Sequence, residues 1–123
     1  MMKHVTIAGN LITDYVKVID RYPQQGRLVS IANTSRCVGG CAANTSVGLA
    51  SIDPAIHVRA MGRVGDDENG QYIIDTLREK GVRCDILIDD SHDTSYTDVM
   101  TVPGGERTFF HSRGANAVFG IED

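Results

Sequence analysis

The order of short apolar segments along the chain is the feature that most constrains its fold. β-Branched, apolar runs at positions 4–8, 56–61 and 82–88 predict three buried strands. Two segments of helical character alternate with these runs, the first ending before Pro54 and the second at Gly81. Alternating strands and helices are typical of a parallel sheet with right-handed crossovers. The chain is therefore predicted to have an α/β fold.

Two further pairs of strands do not fit that alternating order. The first pair is predicted over Tyr15–Ile19 and Leu28–Thr34, with a loop between them. The second pair, Thr94–Val102 and Arg107–Ser112, flanks a Pro-Gly-Gly-Glu turn and is the clearest hairpin in the sequence. Antiparallel strands that interrupt a βαβ series are expected to form a small sheet of their own, carried as a flap on the α/β core. Four apolar residues are predicted to face its inner side: Val29, Ile31, Val99 and Phe109.

Length and composition exclude several functional classes. The chain has 123 residues, with 12 Lys and Arg against 16 Asp and Glu, and a formal net charge of −4. This length suits one domain, and a mildly acidic chain is not expected to bind nucleic acid or a membrane surface. No run of about 18 apolar residues is present, so no membrane span is predicted. Three cysteines without Cys-x-x-Cys spacing favour reduced thiols and a cytoplasmic location.

The strongest candidate binding segment is Gly39-Gly40, which precedes the first predicted helix. Glycine lets a ligand approach the backbone, and a helix N-terminus presents free N–H groups; a tight turn is the competing explanation. Asn44 follows in the first turn, where its amide can donate to and accept from ligand hydroxyls. Asp14 lies beyond the first strand, at the end where parallel sheets bind ligands. Its carboxylate could accept hydrogen bonds from two sugar hydroxyls, or simply form a turn.

The remaining polar groups are given structural interpretations. Asp66 and Asp67 could hold a metal, but capping of the following helix explains them better. Glu106 and Arg107 are interpreted as charges of a hairpin turn. A zinc site built from the cysteines and a histidine is disfavoured because the ligand spacing is wrong. Neither a P-loop nor a Gly-x-Gly-x-x-Gly fingerprint is present, which disfavours a Rossmann dehydrogenase.

A series of short motifs extends from Val5 to about Asn116. They are Ala8-Gly9 with Asp14, Tyr22-Pro23-x-x-Gly26, Val38-Gly39-Gly40-x-Ala42-Ala43-Asn44, Gly62-Arg63-Val64-Gly65-Asp66-Asp67-x-x-Gly70, Gly81-Val82, Thr94 and Gly105-Glu106-Arg107-Thr108. In this order the motifs resemble the ribokinase-like (PfkB) carbohydrate kinases. The resemblance implies a three-layer core of a parallel sheet between helices, with a β-sheet lid at about 15–34 and 94–112. It also implies phosphorylation of a sugar or nucleoside hydroxyl with ATP and Mg²⁺.

The same resemblance implies which residues contact the substrate and which part of the site is missing. The substrate-binding residues carried over by position are Asp14, Gly39, Gly40 and Asn44. The family's Gly-Ala-Gly-Asp block, which holds the catalytic base and the anion hole, does not occur in this sequence. Residues 1–123 are therefore expected to be the N-terminal part of a kinase domain. They would supply the sugar-binding half and most of the lid, with the base beyond Asp123, and with no catalytic residue or metal ligand of their own.

The sequence departs from the family pattern at two positions, and alternative functions are considered beside the sugar kinase. Asp53 stands where family members usually have Gly, and Ile12 stands where some ribose kinases have a polar residue. A more apolar pocket near Ile12 gives mild support to a nucleoside kinase. The main alternative is a non-catalytic, sugar-binding or self-associating fragment. Open edges of lid strands favour pairing between copies, so a homodimer through the lid strands is expected.

Overall fold

The computed structural model describes residues 2–123 and contains two sheets and two α-helices over that range. In chain order the elements are β1 (Lys3–Ala8), β2 (Ile12–Ile19), β3 (Ile31–Gly39), α1 (Cys41–Ile52), β4 (Ile56–Gly65), α2 (Glu68–Glu79), β5 (Arg83–Asp89), β6 (Tyr96–Thr101), β7 (Arg107–Ser112) and a short 3₁₀ helix (Gly114–Val118). None of the helices in this part of the chain is long and apolar enough to cross a membrane.

The core is a three-stranded parallel sheet in the order β1-β4-β5. Helices α1 and α2 pack on it and close one apolar cluster. The buried members of this cluster are Leu11, Ala42, Ala43, Val58, Ala60, Val64, Ile73, Ile74, Leu77 and Val82. The predicted α/β core is confirmed.

The ends of helix α2 are set by local chemistry. Asp67 caps the N-terminus by accepting a hydrogen bond from the Gly70 N–H at 2.8 Å, as predicted. Ile73, Ile74 and Leu77 lie on the buried face. Gly81 follows the helix with φ of +81°, a conformation that favours glycine, and the chain then turns into β5.

The second sheet has the strand order β3-β2-β6-β7. Its outer pairs are antiparallel and its central pair, β2 with β6, is parallel. The two predicted strand pairs therefore do form one sheet apart from the core. Strands β3 and β7 are its two edges, and we call this four-stranded unit the outer sheet.

The first strand pair of the outer sheet differs from the prediction in its boundaries. β2 begins at Ile12 rather than Tyr15, and β3 occupies Ile31–Gly39 rather than Leu28–Thr34. Most of β3 is exposed, so it shows no alternation of apolar and polar residues that would mark a strand in sequence. The connection between the two strands is correspondingly longer than the predicted loop.

Two other expectations need correction. Strand β4 is predicted over 56–61, with Gly62 as the residue that ends it, but the strand continues to Gly65. A Cβ at Gly62 would lie 2.6 Å from the Leu11 Cδ1, so this glycine makes room for a core side chain instead of ending the strand. Of the predicted inner-face residues of the outer sheet, Val99 is buried, but Phe109 is 61% exposed and Ile31 49% exposed. Val29 lies outside the strands. The edge strands have no covering layer within residues 2–123, so their apolar side chains remain accessible.

The outer sheet is joined to the core through a few specific hydrogen bonds. The Asn116 side chain accepts from the Leu11 N–H at 3.2 Å and donates to the Leu11 carbonyl at 3.0 Å. The Tyr15 hydroxyl donates to the Asn69 side chain at 2.6 Å, which connects β2 to helix α2. The 3₁₀ helix that carries Asn116 therefore holds the residue immediately before β2 in place.

Candidate functional site

A row of four polar side chains crosses one face of the outer sheet. Asp14 pairs with Cys37 of β3 on one side and with Thr97 of β6 on the other, and Thr97 pairs with His111 of β7. Directly paired residues project from the same face of a sheet. We call Cys37, Asp14, Thr97 and His111 the cross-sheet row. It places the predicted carboxylate at the centre of the sheet, between two strands.

The surroundings of Asp14 disfavour its charged form. Partial burial raises the pKa of this carboxyl above its ordinary value. Hydrogen bonding by the Thr97 side chain and the positive charges of His111 and Arg107 act in the opposite direction without cancelling the effect of burial. Burial and the neighbouring Asp14 charge also raise the pKa of the Cys37 thiol. The Asp14 carboxylate therefore has lone pairs that remain available to accept hydrogen bonds from a ligand.

Gly39 and Gly40 lie beside this carboxylate, where strand β3 gives way to helix α1. A Cβ on Gly39 would lie 3.1 Å from the Asp14 Cγ and would touch its carboxylate oxygen. Gly40 has φ of +94°, and a Cβ there would lie 2.7 Å from the Asn10 carbonyl carbon. Both glycines therefore meet a close approach, and at Gly40 the backbone conformation also disfavours other residues.

Asn44 lies one turn into α1 and is exposed, and its N–H donates to the Gly40 carbonyl at 3.0 Å. Its side chain lines a groove of about 260 Å³ together with Cys37 and Val38. Within the described residues no side chain caps the N-terminus of α1. The structure thus brings Asp14 and Gly39 into contact. Asn44 instead lines a groove whose other side is formed by Tyr72, Thr76 and Lys80 and whose lining does not include Asp14.

Asp67, the other carboxylate considered as a possible ligand-binding group, already accepts hydrogen bonds from within the protein. Besides capping α2, it accepts from the Thr94 N–H at 2.8 Å and the Thr94 hydroxyl at 2.6 Å. Burial acts to raise the pKa of Asp67, but the hydrogen bonds from Thr94 and Gly70 outweigh it and the pKa is lowered. The Thr94 hydroxyl in turn accepts from the Gly65 N–H at 2.9 Å. The capping interpretation is confirmed for Asp67 but not for Asp66, whose side chain does not cap the helix. Asp67 connects β4, α2 and the segment before β6.

A second buried carboxylate, Asp89, was not singled out from sequence. Hydrogen bonds from the Ser91 N–H, above all, lower its pKa to about 2, and burial opposes this effect. Arg63 and the ring of His92 contribute further, and the Arg63 Nε lies 2.8 Å from the Asp89 carboxylate. Arg63 also contacts Asp123 at 2.9 Å. These contacts tie the ends of β4 and β5 to the last described residue. A salt bridge between a buried carboxylate and a half-buried arginine from another strand has no signal in sequence spacing.

Thr97 and His111 were also missed. Neither belongs to a motif, and only strand register brings them beside Asp14. Register across three strands could not be fixed from the sequence, because β2 and β6 are separated by two helices and three strands. Within residues 2–123 no group of three or more His, Cys, Asp or Glu side chains is arranged to hold a metal ion.

The comparisons with known proteins agree with this architecture. Residues 2–123 match the model of the pfkB family carbohydrate kinases. The chain belongs to that family. Its fold is part of the ribokinase-like α/β fold, as shown by a TM-score of 0.83 to the structure of Arabidopsis thaliana ribokinase complexed with ribose and ATP. That comparison has 25% sequence identity and covers 94% of this chain and 38% of that chain.

Two curated relatives are sugar kinases by name. The chain is 29% identical to Bacillus subtilis (strain 168) ribokinase over 115 residues, which cover 94% of this chain and 39% of the relative. It is 35% identical to Salmonella typhimurium fructokinase over 109 residues, which cover 86% of this chain and 33% of the relative. The chain therefore spans well under half the length of these relatives.

Proposed function

We propose that this chain is the sugar-binding half, with the lid, of an enzyme that transfers a phosphoryl group from ATP to a hydroxyl of a sugar or related polyol. The observation that carries the proposal is the contact of the Asp14 carboxylate with Gly39 on an open face of the outer sheet. Membership of the pfkB family and the similarity to a ribokinase and a fructokinase support the reaction class.

In this proposal Asp14 accepts hydrogen bonds from two sugar hydroxyls. An ionised carboxylate has about four lone-pair sites, and hydrogen bonds to it are roughly twice as strong as neutral ones. Gly39 lets the sugar approach because a side chain at that position would occupy the space at the carboxylate. Asn44 adds an amide that can both donate and accept. The outer sheet acts as the lid that excludes water, since water would otherwise compete for the phosphoryl group.

The described residues do not fit a complete site for ATP and Mg²⁺. No metal-ligand cluster is present among residues 2–123, and Asp67 is fully engaged by Thr94 and Gly70. The Arabidopsis relative was solved with ribose and ATP over a much longer chain. We therefore assign the nucleotide, the metal and the catalytic base to a part of the enzyme outside this chain. A cytoplasmic location belongs to the same proposal, and all three cysteines are free as expected.

The proposal includes a homodimer through the lid. The outer sheet has two open edges, β3 and β7, and exposed Phe109 and Phe110 on the latter. An apolar groove of about 460 Å³, lined in part by Leu28 and Phe110, lies at one end of this sheet. Open edges and apolar patches both favour pairing with a second copy. A self-associating or sugar-binding module without catalysis is the second candidate, and the open edges of the outer sheet with exposed Phe109 and Phe110 favour it.

Titration of the ¹⁵N-labelled chain with ribose and with fructose, followed by NMR, tests sugar binding directly. Amide shifts should concentrate at Asp14, Gly39, Gly40 and Asn44, and Asp67 should not respond because it is fully hydrogen-bonded. A response confined to other segments, or none with any sugar of a broader panel, would contradict the sugar site.

A coupled ADP-release assay on the same chain should show no phosphorylation, because the catalytic base and the anion hole, which together supply most of the rate enhancement, are assigned to another segment. Turnover above that of an Asp14→Ala control would contradict the assignment of the base to another segment.

A further inference from the structure

Residues 9–11 connect the two sheets, because β1 of the core ends at Ala8 and β2 of the outer sheet begins at Ile12. Leu11 belongs to neither strand and is fully buried, and a buried backbone N–H or C=O group without a partner is costly. The Asn116 side chain supplies both partners. Its Oδ1 accepts from the Leu11 N–H at 3.2 Å, and its Nδ2 donates to the Leu11 carbonyl at 3.0 Å.

Asn116 is itself held in place by the segment before β6. Its backbone N–H donates to the Ser95 Oγ at 3.2 Å. The neighbouring Ala115 N–H donates to the Asp93 carbonyl at 2.8 Å. The Ser95 carbonyl also accepts from the Thr13 N–H of β2 at 3.1 Å. The amide of Asn116 is therefore fixed relative to β2 by contacts that do not involve its own side chain.

The connection between the sheets also contacts the N-terminus of α1. The Asn10 carbonyl accepts from the Ala42 N–H at 3.2 Å, and this N–H lies in the first turn, where the helix itself offers no acceptor. A Cβ on Gly40 would lie 2.7 Å from the Asn10 carbonyl carbon, so the two backbones are closely packed. Because Asn10 and Leu11 are adjacent, a shift of the connection would move the strand that carries Asp14 relative to Gly40.

We propose that Asn116 is a positioning residue of the sugar site, which fixes Asp14 relative to Gly40 and α1 by binding both backbone groups of Leu11. The proposal rests on the proposed function, because binding of a sugar is the use that this geometry has. An amide suits the task because it offers a donor and an acceptor together, whereas a carboxylate only accepts. The Leu11 side chain lies in the apolar cluster, so the same residue also anchors the connection to the core.

Two substitutions separate the hydrogen bonds that Asn116 makes. Asn116→Ala removes both side-chain bonds, and Asn116→Asp keeps an acceptor for the Leu11 N–H but has no donor for the Leu11 carbonyl. Tyr15→Phe is the matched control, because it removes a hydrogen bond to Asn69 between the outer sheet and α2, on the face of β2 opposite the cross-sheet row. Asp67→Ala controls for lower stability alone, because it removes the N-cap of α2 and no contact of the connection.

Amide hydrogen exchange followed by NMR tests the arrangement without any sugar. The Leu11 N–H should lose protection in Asn116→Ala and keep it in Asn116→Asp. The Ala42 N–H should exchange faster in both variants, because the Asn10 carbonyl that accepts from it shifts with the connection. Neither amide should change in Tyr15→Phe. Unchanged exchange of Leu11 in Asn116→Ala, or of Ala42 in both Asn116 variants, would overturn the proposal.

Sugar affinity then tests whether this positioning matters for binding. Calorimetry at a temperature where every variant is folded should show binding weakened severalfold in both Asn116 variants. Tyr15→Phe and Asp67→Ala should leave the affinity unchanged. An equal loss of affinity in Asp67→Ala would mean that lower stability alone is responsible, and the positioning role would be wrong. If Asn116→Ala does not fold, Asn116→Asp provides the same comparison.

Asp14→Asn separates a failure of this proposal from a failure of the sugar site. If Asp14→Asn abolishes binding and both Asn116 variants leave affinity intact, the positioning role is wrong and the sugar site stands. If Asp14→Asn leaves affinity intact, or the wild type binds no sugar, the sugar site is wrong. In that case the role of Asn116 in sugar binding is wrong too, and the amide exchange alone decides whether Asn116 fixes the connection between the sheets.

Discussion

Asp14 within strand β2 and Asp67 at the N-terminus of α2 are both partly buried carboxylates, yet their surroundings shift their pKa values in opposite directions. Asp67 accepts three hydrogen bonds from Gly70 and Thr94 at 2.6–2.8 Å, and its pKa is lowered. Asp14 lies on an open sheet face, and burial raises its pKa because its hydrogen bonds do not compensate. A carboxylate whose hydrogen bonds are made within the protein, as those of Asp67 are, stabilises the fold. One that is desolvated without full compensation is available to a ligand, and perturbed groups of this kind cluster at functional sites.

Removing Asp67 should have the largest effect on stability in this comparison. Asp67→Ala leaves the Gly70 and Thr94 N–H groups without their acceptor and removes the N-cap of α2. Loss of a cap and of charge-assisted hydrogen bonds should lower the free energy of unfolding by about 2 kcal/mol. Urea denaturation measures this, with Asp66→Ala as the control because Asp66 is exposed and does not cap the helix. Equal losses in both variants would show that Asp67 has no special role.

Removing Asp14 should affect binding and leave the fold intact. In Asp14→Ala the ligand loses charge-assisted hydrogen bonds, and sugar affinity should fall at least about tenfold, or about 1.4 kcal/mol. The melting temperature should barely move, because the folded state gains little from this charge. Calorimetric titration and a thermal melt test the two statements, with Asp20→Ala, an exposed loop position, as the control. Unchanged affinity for a sugar that the wild type binds would remove Asp14 from the site.

The comparison also shows what the sequence could and could not predict. Asp67 was interpreted correctly because helix capping is local and its residue types and spacing are visible. The separate outer sheet was predicted because two hairpins interrupted the βαβ order. The β3 boundaries were wrong because an exposed edge strand has no apolar alternation. Thr97 and His111 were missed because register between distant strands has no local signal. Asp14, Gly39, Gly40 and Asn44 were proposed from local chemistry and from motif resemblance, and they stay predictions.

The smallest expected effect is on the pH dependence of stability, and the two carboxylates should give it opposite signs. The pKa of Asp67 is lowered by folding, so its stabilisation is complete above its ordinary pKa of 3.8 and is lost as pH falls toward the folded value. The pKa of Asp14 is raised, so its contribution is present below 3.8 and is lost as pH rises through the folded value. Raising the pH from about 3 to 6 should therefore make Asp67→Asn progressively less stable than wild type, and Asp14→Asn progressively more stable. Three ionisable groups face Asp14: Cys37, His111 and Arg107. The Asp14→Asn measurement should therefore be repeated in an Arg107→Gln background. Loss of this positive charge should raise the pKa of Asp14 further and enlarge the gain in stability that Asp14→Asn gives. Urea unfolding at closely spaced pH values provides the test, and slopes of the same sign for both variants would show that the two carboxylates do not differ as the geometry indicates.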